Sequence, residues 1–306
     1  MDDTQAARPQ DTVEVTLGER TVHVPAGGLF DRYRMQADLD EVAKDPRVAG
    51  VEFFRNQPKT EVQSRIGPTF TPNVYYAMSN VRLTMIAPTR AILRRLPSEL
   101  DPLEIFPGFG LVSVILFRYD VADIDFYTEA AVGIAVKPAR HGRLGAVDLM
   151  AALKNDHLDS YVLSLPVNTD IAQVRGHDGY GFPKWVTEID VEIDDRTSFG
   201  RVTNDAGGTD IELKAPTPRQ VRHRSGTAVS SLNSFTHFNE GWHATFSQTN
   251  ALASGTQMFP RDIELTLGEG RLSNDIRSLK PVRNLRLDVM TSGQLALHMP
   301  RVISVA

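Results

Sequence analysis

Short apolar runs of strand length, rich in β-branched and aromatic residues, constrain this 306-residue chain more than any other feature. They include Val74–Ala87 (VYYAMSNVRLTMIA), Leu111–Tyr119 (LVSVILFRY), Ala130–Val136 (AAVGIAV) and Ser160–Val167 (SYVLSLPV). Their β-branched and aromatic character is that of buried strands. Ile189, Val191 and Ile193 alternate with acidic residues, as in a half-buried strand, and Ile211–Leu213 and Arg261–Leu267 read similarly. Val13–Leu17 and Thr21–Val24 alternate about Gly18-Glu19-Arg20, which predicts a hairpin. Helical patterns are few: Leu29–Val48, cut short by Pro46; Thr89–Leu96, closed by Pro97; and Ala146–Leu153. Val51–Thr71, with Pro58, Gly67 and Pro68, reads as a covering segment with little regular structure, and Leu285–Ala306 as two more short strands. Strands without a βαβ rhythm predict an α+β chain, mainly antiparallel β. The expected layout is a disordered tail over 1–11, an N-terminal extension over 12–73 packed on the core, and a β domain over 74–306.

Composition removes whole classes of function. There is no cysteine, so disulfides, thiolate metal sites and a cysteine nucleophile are excluded. Lys+Arg 33 against Asp+Glu 38 gives a net charge of -5, which argues against nucleic acid as a partner. No uninterrupted apolar window approaches the length of a membrane span, and Met1–Gln10 lacks the basic flank and apolar run of a signal peptide. The expectation is a cytoplasmic protein with no membrane partner. Nucleotide-binding glycine motifs, H-E-x-x-H and G-x-S-x-G are all missing, and His237 and His243 are spaced like no common metal pair.

The chemistry lies in Arg175–Trp185 (RGHDGYGFPKW). Only Lys137 and Lys184 among the lysines lack a polar or charged residue within two positions. Lys137 ends a strand and runs into a basic loop. Lys184 sits between Phe182-Pro183 and Trp185-Val186. A lysine in that setting either snorkels to solvent or is held neutral, and a neutral amine attacks carbonyl carbon to give a Schiff base. Phe126-Tyr127-Thr128-Glu129 leads into an apolar strand, so Glu129 is a candidate buried acid/base. Taken singly, each also reads as an ordinary strand-end or turn residue.

Taken in order, the two segments resemble the acetoacetate decarboxylase superfamily. Tyr127-Thr128-Glu129 is similar to its Tyr-x-Glu segment, and Gly176-His177-Asp178 leading into Phe182-Pro183-Lys184 to its G-R-E…Pro-Lys segment. Ala91–Pro97 followed by Pro102-Leu103-Glu104-Ile105, and Gly270-Arg271-Leu272, Pro281-Val282 and Pro300-Arg301, extend the likeness over roughly residues 75–303. The resemblance implies a closed β barrel or cone with a few peripheral helices, and a homo-oligomer. It implies that Lys184 is the Schiff-base lysine, that Glu129 is its acid/base, that the partner is a small-molecule keto acid, and that no cofactor or metal is needed.

The departures are specific. Pro183 and Trp185 stand where the decarboxylases carry a second lysine. In acetoacetate decarboxylase itself the established activation is desolvation or a neighbouring cation, and here desolvation must supply most of it. His177 and Asp178 replace the family's Arg-Glu. The family arginine falls near Met78-Ser79-Asn80, where the nearest arginine is Arg82, and Val112–Phe117 lacks the family's further glutamate. Tyr127, Tyr180, Phe182 and Trp185, with His177, Asp178 and Arg82 as the polar complement, are the expected substrate-binding residues. They point to a substrate larger and less polar than acetoacetate. Three readings follow: a lyase decarboxylating a β-keto acid, an aldolase–dehydratase or cyclase acting on 2-oxo acids through the same lysine, and a non-catalytic β cavity for a small ligand.

Overall fold

The computed structural model describes residues 11–138, 156–238 and 241–304. Seven strands close into a barrel: β1 (Asn73–Pro88), β2 (Phe109–Ala122), β3 (Tyr127–Pro138), β4 (His157–Ser164), β5 (Val229–Phe238), β6 (Gly241–Met258) and β7 (Arg283–Leu297). They pair in chain order, and β7 returns to β1. An odd ring cannot alternate in direction all the way round. One joint must therefore be parallel, and it is β4–β5. A parallel joint needs a long crossover, because a tight turn reverses the chain. The crossover is the stretch between Ser164 and Val229, and it carries Lys184.

Strand alternation gives the barrel two unlike faces. On the outer face Val81, Leu83, Val112, Val114, Leu116, Ala130, Val132, Leu287 and Val289 join one buried cluster. A second, four-stranded sheet (Ile189–Ile193, Thr197–Thr203, Thr209–Pro216 and Glu264–Leu267) and helix Arg271–Leu279 add Val191, Val202, Leu213, Leu272 and Ile276 to that cluster. The inner face is less filled: Arg82, Thr84, Ser113, Ile115 and Phe117 all keep partial exposure. Between them Val81, Leu83, Val112, Val114 and Leu116 are shut off, so the exposure belongs to the barrel's interior side.

The hairpin near the N-terminus forms as expected, Thr12–Leu17 against Arg20–Pro25. Three expectations need correction. The stretch 29–48 is two short helices, Leu29–Tyr33 and Leu39–Val42, because Arg34 and Met35 take left-handed φ values of 46° and 77°. The stretch 51–71 is regular: a helix, Glu52–Arg55, then a hairpin, Thr60–Ser64 against Gly67–Thr71. The C-terminal part holds two strands as expected, but the first, β7, is 15 residues long and only the second, Arg301–Val302, is short. The helix expected over Ala146–Leu153 and all but the last residue of the expected tail lie outside the described residues. Among the described residues no helix is long and apolar enough to cross a membrane.

Candidate active site

The crossover after β4 first runs on along β3 in the same direction. Residues 165–168 lie between β3 and the lysine segment: Ala130 N donates to Pro166 O, Val167 N donates to Trp185 O, and Thr187 N donates to Val167 O. Thr128 N is fixed by Asn168 Oδ1 at 2.7 Å. The main chains of Glu129 and Lys184 are thus two strand spacings apart, roughly 10 Å. A lysine and a glutamate reaching toward each other bridge that gap.

They do so here. Lys184 Nζ lies 2.5 Å from Glu129 Oε2, with the two side chains 7% and 8% exposed. Lys184 therefore does not snorkel. Its ammonium also lies 5.7 Å from the centre of the Tyr127 ring, a cation–π contact. The other oxygen, Glu129 Oε1, accepts from Tyr119 OH at 3.2 Å. Behind it Tyr127 OH donates to Tyr75 OH at 3.0 Å, and Asn73 Nδ2 donates to the same oxygen at 2.8 Å. Burial, reinforced by the Glu129 charge, pushes the Tyr75, Tyr119 and Tyr127 phenols up. They stay protonated, so Tyr119 is a donor to Glu129 and not a second anion beside it.

The local sequence explains how the lysine gets in. Helix Asp170–Val174 widens into a π turn at Arg175–Gly179, a distortion that re-aims the chain and recurs at functional sites. Phe182 N then donates to Gly176 O and Gly181 N to His177 O, folding the Gly-Tyr-Gly-Phe stretch back on the turn. Gly181 holds a φ of 78°, a left-handed value suited to glycine. Tyr180 and Phe182 are buried with near-parallel rings, and they pack with Leu165 and Ala131 against Ile115, Phe117, Val162, Leu297 and Met299 on the inner wall.

Of the residues expected from sequence, Lys184, Glu129 and Tyr127 come together, and Tyr180 and Phe182 line the wall beside them. The others lie elsewhere. His177 is nearly half exposed and meets Phe182 O, while Asp178 faces Arg20 at 3.7 Å. Trp185 stacks under Arg271 on the outer side, in a depression of about 480 Å³ that also touches Leu163, Ser164, Asn274 and Asp275. Lys184 borders this depression through its main chain, since its side chain is sealed while the residue as a whole keeps partial exposure. Arg82 is on β1, in register with Asp288. Tyr119, Tyr75 and Asn73 were missed because nothing local marks a tyrosine in a strand as a carboxylate partner. Alternation was the available signal: Tyr119 and Tyr127 pair directly across β2–β3.

The hairpin of residues 60–71 closes over this region. Arg65 lies 3.9 Å over the Phe238 ring and 3.1 Å from His243 Nε2, and Thr69 Oγ1 accepts from the buried Arg175 at 3.2 Å. Among the described residues no group of three His, Cys, Asp or Glu side chains is placed to hold a metal ion.

The model of the acetoacetate decarboxylase (ADC) family matches residues 56–299, well over half of the chain. The chain belongs to the acetoacetate decarboxylase family. The family match begins inside the N-terminal extension and takes in the covering hairpin. The fold is shared with the acetoacetate decarboxylase of Legionella pneumophila subsp. pneumophila str. Philadelphia 1, at TM-score 0.52 and 14% identity over 76% of this chain and 87% of that one. It is shared equally with the enduracididine biosynthesis enzyme MppR complexed with the condensation product of pyruvate and imidazole 4-carboxaldehyde, at TM-score 0.52 and 16% identity over 77% and 90%. No curated protein matches the chain significantly in sequence.

Proposed function

We propose that this family member is a Schiff-base lyase that decarboxylates a β-keto acid larger than acetoacetate, with Lys184 as nucleophile and Glu129 as acid/base. The reading rests on one observation: an amine and a carboxylate 2.5 Å apart and sealed from solvent. The carboxylate takes a proton from the lysine, and the free amine adds to the substrate ketone. Loss of water gives an iminium. The bond to the carboxylate carbon then breaks, its electrons enter the iminium, and carbon dioxide leaves an enamine. Glu129 has by then given its proton to the departing water, so it takes up one from solvent and delivers it to the enamine carbon, and water hydrolyses the product from Lys184. Tyr119 holds Glu129 in place through the cycle. The expected substrate-binding roles of Tyr127, Tyr180 and Phe182 fit their positions on the wall; those of His177, Asp178 and Trp185 have no support from theirs.

The second reading is an aldol-type condensation and dehydration of 2-oxo acids on the same lysine. It is supported by the absence of a lysine at 183 and 185, and by the shared fold of an enzyme complexed with a pyruvate condensation product. Borohydride trapping with β-keto and 2-oxo acids, read by intact mass and peptide mapping, tests both. An adduct on Lys184 that has lost carbon dioxide supports the first, and one retaining it supports the second. No adduct from any carbonyl acid sinks both and leaves a ligand-binding barrel.

A further inference from the structure

The inner face of the barrel carries a cation that the chemistry above does not use. Strand register puts Asp288, Arg82, Ile115 and Ala131 in one row across β7, β1, β2 and β3. The next row in one direction is Met290, Asn80, Phe117 and Glu129, and in the other it includes Arg286, Thr84, Ser113 and Gly133. Arg82 and Glu129 therefore share the inner face, two strands and two residues apart, which is roughly 12 Å between main chains. The floor between them is low and apolar, made by Ile115, Phe117 and the methyl of Ala131.

Arg82 has no partner of its own. It makes no hydrogen bond or ion pair with any described residue, and its Nε is buried and unsatisfied. The nearest carboxylate, Asp288, is already engaged: its Oδ1 accepts from Arg286 at 2.7 Å and from Thr256 Oγ1 at 2.6 Å. Two guanidinium groups thus face one carboxylate, leaving one positive charge in excess on an inner wall. An unpaired cation with a sealed N–H is costly to leave without an anion to complete it.

We propose that Arg82 is the subsite for a remote carboxylate of the substrate, so that this barrel takes dicarboxylic oxo acids: carbonyl at Lys184, apolar chain over Ile115 and Phe117, far carboxylate on Arg82. This keeps the expectation of a larger substrate, replaces that of a less polar one, and rests on the Lys184 reading for the carbonyl end only. The anion subsite is measurable without imine chemistry.

The experiment is calorimetric titration of the full chain with glutarate and adipate, which have no carbonyl, alongside trapping with pyruvate and 2-oxoadipate. The expected result is saturable binding of at least one diacid, weakened at least about tenfold in Arg82→Met and partly restored in Arg82→Lys. Asp288→Asn, which removes the competing carboxylate, binds the diacid more tightly. The ratio of 2-oxoadipate to pyruvate trapped falls at least about tenfold in Arg82→Met. Failure of the wild type to bind either diacid overturns the proposal, as does equal binding by Arg82→Met. Should Arg82→Met fail to fold, unchanged affinity in Asp288→Asn overturns it instead. Diacid binding that depends on Arg82, with no adduct on Lys184, keeps the subsite and removes the lysine chemistry.

Discussion

Gly176 lies against the stem of Lys184 so closely that a Cβ at position 176 would sit 2.3 Å from Cδ and 2.4 Å from Cε. The lysine reaches Glu129 by passing over a residue that has no side chain. This gives the glycine eight residues before the lysine a steric role. Gly176→Ala forces the lysine out of its path, since the neighbouring main chain is locked by the Phe182 N to Gly176 O bond. We expect the variant to fold, with a circular dichroism spectrum like the parent's, and to lose adduct formation at Lys184 by at least about a hundredfold, as misplacement of a reacting group by about 1 Å does elsewhere. Trapping at the parent's rate would show that the lysine has another route.

Glu129 is held from two sides, by Lys184 and by Tyr119. Removing its carboxylate and removing its support are different experiments. Glu129→Gln leaves nothing to carry the proton, and we expect turnover to fall by about 10²–10⁴. Tyr119→Phe removes one hydrogen bond to a charged group, on the order of 1.5–3 kcal/mol, and we expect a smaller loss of roughly 10- to 100-fold. Steady-state carbon dioxide release distinguishes them. A Tyr119→Phe enzyme as impaired as Glu129→Gln would mean that the phenol itself takes part in proton transfer.

Much of this site is legible in the sequence, and the reason is chemical. A lysine among Phe182, Pro183 and Trp185 conflicts with its own solvation, and such conflicts are visible in a sequence. Direction was less legible. Side chains near a turn point in or out according to hydrogen bonds that composition does not carry. His177 and Asp178 turned outward with the π turn, and Trp185 took the outer face by simple alternation with Lys184. Strands β5 and β6 were invisible for a different reason. Polar residues such as Ser234, Thr236, Thr245 and Ser247 alternate with Phe235 and Ala244 of the outer cluster and stand on the inner side, so the usual apolar pattern is weak. The break at Arg34–Met35 has no glycine or proline to announce it.

Lys59 ties the N-terminal extension to the barrel through a buried pair. Its Nζ lies 2.6 Å from both oxygens of Asp123, whose side chain is fully buried, and it also donates to Met35 O. Asp123 accepts as well from Val74 N at 2.6 Å and Tyr76 OH at 2.8 Å. Burial pushes the Asp123 carboxyl up and the Lys59 amine down, so each ion depends on the other. Lys59→Met strands the carboxylate, and we expect a loss of about 3–5 kcal/mol in urea unfolding. Lys59→Met with Asp123→Asn should recover part of that loss. A double variant no more stable than the single one would show that the carboxylate's other two bonds suffice.

His298 gives the fold a pH dependence of known sign. Its ring is about half buried beside Phe246, its Nε2 has no partner, and its main-chain N–H donates to Phe246 O. Burial first, and then the nearby Arg301 charge, hold its pKa below the usual histidine value of 6.5. The unfolded chain therefore binds a proton that the folded one resists. Stability from this group is complete above about pH 6.5 and is lost as pH falls below it. The ring is only partly sheltered, so we expect the effect to be under about 1 kcal/mol. His298→Phe keeps the ring and the main-chain bond while removing the titration. Between pH 7.5 and 5.5 the wild type should lose more thermal stability than the variant, by a small and reproducible margin in Tm. A variant that loses more than the wild type would mean that His298 gains a partner when protonated.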